Sequence, residues 1–179
     1  MKAIINCEIV MLDHYIEDGV ILISDGKIVD FGSAAEVKVP DNCEVIDAGG
    51  NYVGPGLIDI HTHAGGEYWF YEDPVKAARA HLIHGTTSVM PTVYFNMTRD
   101  QLLEQIAFIK EKSKTEEGKI IRGLYMEAPY LNPKFGADRE NNPWKGPIDP
   151  DDYMPLIEAA RDFAKVWCLA PERENIEQF

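Results

Sequence analysis

The stretch "GLIDIHTH", residues 56–63, places two of the chain's five histidines at alternating positions directly after an apolar run. Successive side chains of a β-strand point to opposite faces, so His61 and His63 share one face. A strand end of this kind holds either two polar residues hydrogen-bonded to their neighbours or a pair of metal ligands. Neutral imidazole binds zinc and similar ions through one ring nitrogen, and two on one strand face can share one ion. The rest of the chain has to choose between these.

At 179 residues, with 45% hydrophobic and 26% charged residues, the composition is that of a soluble globular protein of one ordinary domain or part of a larger one. The formal net charge of −13 argues against nucleic acid or an anionic membrane as a partner. An anionic small substrate stays compatible, because a local site can oppose the global field. The opening apolar run is broken by Asn6, Cys7 and Glu8 and is followed by no small-residue cleavage site, unlike a signal peptide. No stretch approaches the ~18 apolar residues of a transmembrane helix. Cys7, Cys43 and Cys168 are odd in number and far apart, so they are expected as buried thiols in a reducing cytoplasm.

Upstream of the histidines, residues 1–53 read as a small antiparallel β unit. "KAIINCEIVML" is strand-like, "GVILISDGKIVDFG" is two runs joined by the hairpin dipeptide Asp25-Gly26, and "CEVIDAGG" adds a short strand. From Gly54 the rhythm changes to strand and helix in alternation. "LIDI" is a strand, and Asp73-Pro74 opens a helix that Gly85 stops. "TTSVMPTV" is the next strand. Thr98 and Gln101 make a capping box ahead of a helix with Leu102, Ile106 and Ile109 on one face. "KIIRGLYME" is a third strand, a third helix starts at Pro150 or Pro155, and "KVWCLAPE" is a fourth strand. Continuously apolar strands alternating with helices predict a parallel sheet covered by helices.

In parallel α/β architectures chemistry gathers at the C-terminal ends of strands. His61 and His63 end one strand and Glu127 ends another, with Tyr125 on the same face as Glu127. Alone, Glu127 reads as a surface carboxylate. Beside two imidazoles it completes a plausible ligand set for zinc or iron, with room for water.

The blocks "VGPGLIDIHTHAGG", "HGTTSVMPT", "GLYMEAPYLNP" and "LAPE", in this order and spacing, resemble the amidohydrolase superfamily, and within it the N-acetylglucosamine-6-phosphate deacetylases. The first block is shared widely across the superfamily. The third discriminates: other branches often bridge two metals with a lysine on the fourth strand, and "VWCLAPE", residues 166–172, offers none within it. The resemblance covers essentially the whole chain but only the N-terminal half of such an enzyme. It implies an α/β fold: about four βα units of a (β/α)₈ TIM barrel over residues 54–179, preceded at 1–53 by strands of a small β-sandwich domain. It also implies that His61, His63 and Glu127 bind a divalent metal, zinc or iron, and that water attacks a small N-acyl amino sugar, possibly phosphorylated. The family's general-base aspartate lies beyond Phe179, so the 179-residue chain is expected to be inactive alone and to bury its open sheet edges against another chain. Family members are often homo-oligomers.

This sequence also departs from the family. Tyr125 and Asp138 stand where the family has histidines near the substrate, Ala128 replaces a glycine before Pro129, and Ala64 follows the histidine pair where glycine is usual. The metal half of the pattern is intact and the substrate half is altered. Two alternatives therefore stand beside the deacetylase: an amidohydrolase of a different N-acyl substrate, and a non-catalytic incomplete barrel used for binding or assembly. Among smaller candidates, His81 and His84 are expected to meet solvent or the end of their helix, and His14 has no partner in view. Trp69, Phe70 and Tyr71 either line a pocket near His63 or pack in the core.

Overall fold

The computed structural model describes residues 1–179 as two compact units, Met1–Pro55 and Gly56–Phe179. The first holds β1 (Lys2–Val10), β2 (Tyr15–Ser24), β3 (Lys27–Ser33), β4 (Glu44–Asp47) and β5 (Tyr52–Val53). Asp25 and Gly26 both take positive φ, 51° and 73°, which is the twist that lets a two-residue turn join β2 to β3. The sheet is not wholly antiparallel as its sequence suggests. β1 pairs antiparallel with β2 but parallel with β4 and β5. The chain between Ser33 and Glu44 crosses over before pairing, a non-local event that no turn signal encodes. Ala3, Val20, Leu22 and Val37 form one small core, and Cys7, Ile9 and Ile21 another.

The second unit runs β6 (Leu57–Thr62), β7 (Ala64–Gly65), β8 (Tyr68–Trp69), α1 (Pro74–Leu82), β9 (Thr86–Val93), α2 (Arg99–Lys112), β10 (Leu124–Met126), α3 (Pro150–Ala160) and β11 (Ala164–Trp167). Its four-stranded sheet has the order β11-β10-β9-β6, and all its pairings are parallel. Each strand lies beside the next one in sequence, with one helix in each connection. That stepping in a single direction puts the helices on one face if every crossover is right-handed. The core joins Val89, Val93, Leu124 and Met126 of the strands to Ala77 and Ala78 of α1, Leu102, Ile106 and Ile109 of α2, and Leu156 and Ala160 of α3.

Local signals act as expected at the helix starts. Asp73 accepts from the Lys76 amide at 3.0 Å, and Thr98 with Gln101 closes a complete capping box. Helix α3 begins at Pro150 and continues through Pro155. A proline has no N–H for the carbonyl four residues back. The Asp151 carbonyl left over accepts instead from Arg99 Nη1 at 3.4 Å. The third strand is shorter than "KIIRGLYME" suggests: Ile121 makes only a single bridge to Val89 before β10 begins at Leu124. No helix is long and apolar enough to cross a membrane.

Candidate metal centre

His61 and His63 lie at the C-terminal end of β6, and Glu127 immediately follows β10. Parallel pairing through β9 brings these two strand ends onto one side of the sheet. One ligand-type atom each from His61, His63 and Glu127 lies within 4.8 Å of the others. The two imidazoles meet edge to face with centroids 5.4 Å apart.

The backbone around the histidines is held by side chains. His61 N–H donates to the Asp59 carboxylate at 3.1 Å, and Thr62 N–H to Thr92 Oγ1 at 3.0 Å. Thr62 Oγ1 donates to the Ala64 carbonyl at 3.0 Å, and His81 Nε2 lies 2.9 Å from the same oxygen. His81 therefore turns inward, stacked on Phe70 at 5.9 Å, rather than toward solvent or its helix end. Sequence spacing along α1 gave no sign of this, because its partner belongs to a different element. His84 is exposed, and the His14 ring pairs with its neighbour Asp13.

The electrostatics of the cluster are unusual. Burial lowers the pKa of His63, opposed by Glu127 and the Thr92 backbone and reinforced by His61. A neutral imidazole, with a lone pair to share, is the form that binds metal. His63 Nε2 lies 3.4 Å from Glu127 Oε2, yet the pair lacks hydrogen-bond geometry. Both His63 Nδ1 and Glu127 Oε2 are buried without a partner. An unmade hydrogen bond at such a site costs roughly 1–3 kcal/mol, more for a charge. A cation between the two imidazoles and the carboxylate would satisfy the carboxylate oxygen without displacing any existing bond. The donor set fits zinc, iron and similar ions.

Tyr125 packs edge-on against His61 at 4.4 Å, and its phenol oxygen accepts from Cys168 Sγ at 2.9 Å. That contact, then burial, raises the Tyr125 pKa. Cys168 and Cys43 are only partly buried, and only Cys7 is fully enclosed. Asp138 does not join the ligand cluster. Its two oxygens accept from Asn96 and Asn141, each at 2.8 Å, and it helps burial keep the pKa of Tyr94 high. Tyr94 and Trp69 pack near His63, with ring centroids at 5.2 and 6.3 Å. A cavity of about 650 Å³ opens here, bordered by His63, Glu127, Trp69, Tyr94, Phe135 and Leu169 among others.

No protein-family model matches the chain. N-acetylglucosamine-6-phosphate deacetylase of Bacillus subtilis (strain 168) is 26% identical over an alignment that takes in 93% of this chain and 43% of that enzyme. The crystal structure of N-acetylglucosamine-6-phosphate deacetylase from Pasteurella multocida superposes with a TM-score of 0.75 and 26% identity, over 96% of this chain and 45% of that one. The enzyme of the same name from Mycobacterium smegmatis shares the fold, with a TM-score of 0.75 at 22% identity, over 97% of this chain and 48% of that one. The chain spans about half the length of the relatives it matches and resembles them along nearly all of its own length.

Proposed function

We propose that the chain carries part of the metal site of an amide hydrolase resembling N-acetylglucosamine-6-phosphate deacetylase, acting on a small N-acylated amino sugar, phosphorylated or not. The observation that carries this reading is the meeting of His61, His63 and Glu127 with the Glu127 oxygen left unpartnered. In this reading residues 54–179 are about four βα units of a (β/α)₈ barrel, of which three have their helix here, and residues 1–53 are strands of a small β-sandwich domain. The stepwise order β6, β9, β10, β11 supports a barrel over a doubly wound sheet, whose strand order reverses. The position of the cluster at the C-terminal strand ends, where such barrels keep their chemistry, supports it too.

Held by His61, His63 and Glu127, a zinc or iron ion would supply Lewis-acid polarisation of the acyl carbonyl and a lowered pKa for water. The protein's own groups set the surroundings. Trp69 and Tyr94 wall the cavity beside His63 and limit water. Tyr125, its pKa raised, stays a neutral phenol beside His61 and can donate its proton to a substrate oxygen. Asp138 adds negative charge near Tyr94, so this side of the cavity suits hydroxyls better than a phosphate.

Two measurements test the reading. Elemental analysis of the protein purified without chelator is expected to find a bound divalent ion, retained at least roughly tenfold less tightly in Glu127→Gln, since outer-shell changes alone cost that much. In a full-length form that supplies the rest of the barrel, amine release from N-acetylglucosamine 6-phosphate should depend on the same residue. Absence of a bound ion, or equal retention by the variant, removes Glu127 from the ligand set and the hydrolase reading with it.

A further inference from the structure

Trp69, Phe70 and Tyr71 divide their side chains between two destinations. Phe70 is 1% exposed and stacks on His81, whereas Trp69 and Tyr71 keep 39% and 36% of their surface in solvent. The two outer rings stack on each other, 25° from parallel with centroids at 5.5 Å, so each holds the other in place and keeps its outer face free. Their backbone is fixed: Phe70 N–H donates to the His63 carbonyl at 3.0 Å, and Glu72 and Asp73 N–H groups both donate to the Trp69 carbonyl at 3.0 Å. Large rings held rigid but half in water serve packing poorly and recognition well.

The stacked pair lines a cleft of about 610 Å³ whose other walls include Tyr94, Asn96, Glu104 and Gln105. No lysine, arginine or histidine lines it. Gln105 brings a side-chain amide whose oxygen is buried with no partner, so its hydrogen-bonding capacity is only partly used. Trp69 and Tyr94 also border the cavity that holds His63 and Glu127, so the two spaces share a wall. An aromatic wall beside amides and a carboxylate, without a cation, matches an uncharged ring rich in hydroxyls. The apolar C–H face of a sugar lies on the rings while its hydroxyls reach the polar rim. A phosphate would find no positive group there.

We propose that this cleft is a subsite for a second, uncharged sugar ring, so that the substrate is at least a disaccharide bearing its N-acyl group toward His63 and Glu127. The assignment of the N-acyl end rests on the hydrolase reading above; the sugar subsite itself does not. The test is a titration of the protein with N,N′-diacetylchitobiose, followed by tryptophan fluorescence and calorimetry, with N-acetylglucosamine and N-acetylglucosamine 6-phosphate as comparison probes. The disaccharide is expected to bind more tightly than either monosaccharide and to change the fluorescence. Trp69→Ala and Tyr71→Ala should each weaken the disaccharide roughly tenfold and erase its advantage, while Trp69→Phe, which keeps a ring, retains most of it. Circular dichroism confirms folding of each variant. Glu127→Gln separates the two readings: if it loses metal but still binds the disaccharide more tightly than the monosaccharides, the subsite stands whatever becomes of the hydrolase. Equal affinity for disaccharide and monosaccharide, or full affinity in both alanine variants, overturns the subsite even if the metal is present.

Discussion

Glu127 and the loop that follows it, residues 128–149, are neighbours in sequence and opposite in character. Side chains anchor that loop at several points. Arg173 donates to the carbonyls of Leu131 at 3.0 Å, Trp144 at 2.6 Å and Gly146, while lying over the Tyr130 ring at 5.1 Å. Trp144 Nε1 donates to the Met97 carbonyl at 2.8 Å, and Asp149 N–H donates to the Tyr130 hydroxyl at 3.1 Å. One residue before this loop, Glu127 Oε2 is buried with nothing to accept from, and so is the His63 Nδ1 atom close by. The two unpartnered atoms are exceptions in a fold of this kind, since buried polar groups are otherwise almost always paired.

The contrast breaks most sharply by reversing the two regions. Arg173→Ala removes three charge-assisted bonds at once and is expected to destabilise the unit by about 3 kcal/mol, because hydrogen bonds to charged groups contribute ~1.5–3 kcal/mol each and only part adds up. Metal retention at His61, His63 and Glu127 should change little. Urea unfolding and elemental analysis of one preparation read both quantities. A variant that loses its metal while keeping its stability would show that the loop, not the cluster, holds the ion.

A somewhat smaller effect comes from the ion itself. Adding a divalent metal at ~100 times its dissociation constant should raise the stability of the wild-type chain by about 2.7 kcal/mol, and that of Glu127→Gln by far less. In the presence of chelator the order inverts. Glu127→Gln then replaces an unpaired buried carboxylate with a neutral amide and should be as stable as the wild type or up to ~1 kcal/mol more so. If Glu127→Gln is the less stable of the two without metal, the carboxylate already has a partner and the contrast with the loop fails.

What the sequence made legible divides along the same line, between local and non-local causes. The Asp25-Gly26 turn, the Asp73 cap and the Thr98–Gln101 box are all satisfied within four residues, and each stands where its sequence puts it. The convergence of His61, His63 and Glu127 was legible because strand alternation and parallel order are themselves periodic rules. The parallel docking of β4 and β5 on β1 was not, nor was the rescue of Pro155 by Arg99 from another helix. His81 looked like a helix-surface residue because its partner, the Ala64 carbonyl, is 17 residues away in sequence. The aromatic triplet left two readings open in sequence, and the structure assigns one to each side: Phe70 to the core, Trp69 and Tyr71 to the cleft.

The mildest test sets Glu127 against a carboxylate whose bonds are complete. Asp73 accepts from the Lys76 amide at 3.0 Å and pairs with its ammonium at 3.2 Å, and the backbone bond is the main reason its pKa is lowered. A carboxylate held lower in the folded state than its unfolded value of ~3.9 stabilises the fold above that pH, and the benefit drains away as pH falls through the folded value. Asp73→Ala should therefore cost about 1 kcal/mol at pH 7, the usual worth of such a cap. The gap between variant and wild type should narrow steadily once the pH drops below ~4, because protonation takes from the wild type the charge that the variant never had. Urea unfolding at several pH values follows it directly. A gap that holds its full size at pH 3 would mean that Asp73 acts through helix propensity alone, and that even the satisfied carboxylate is not stabilised by the partners it touches.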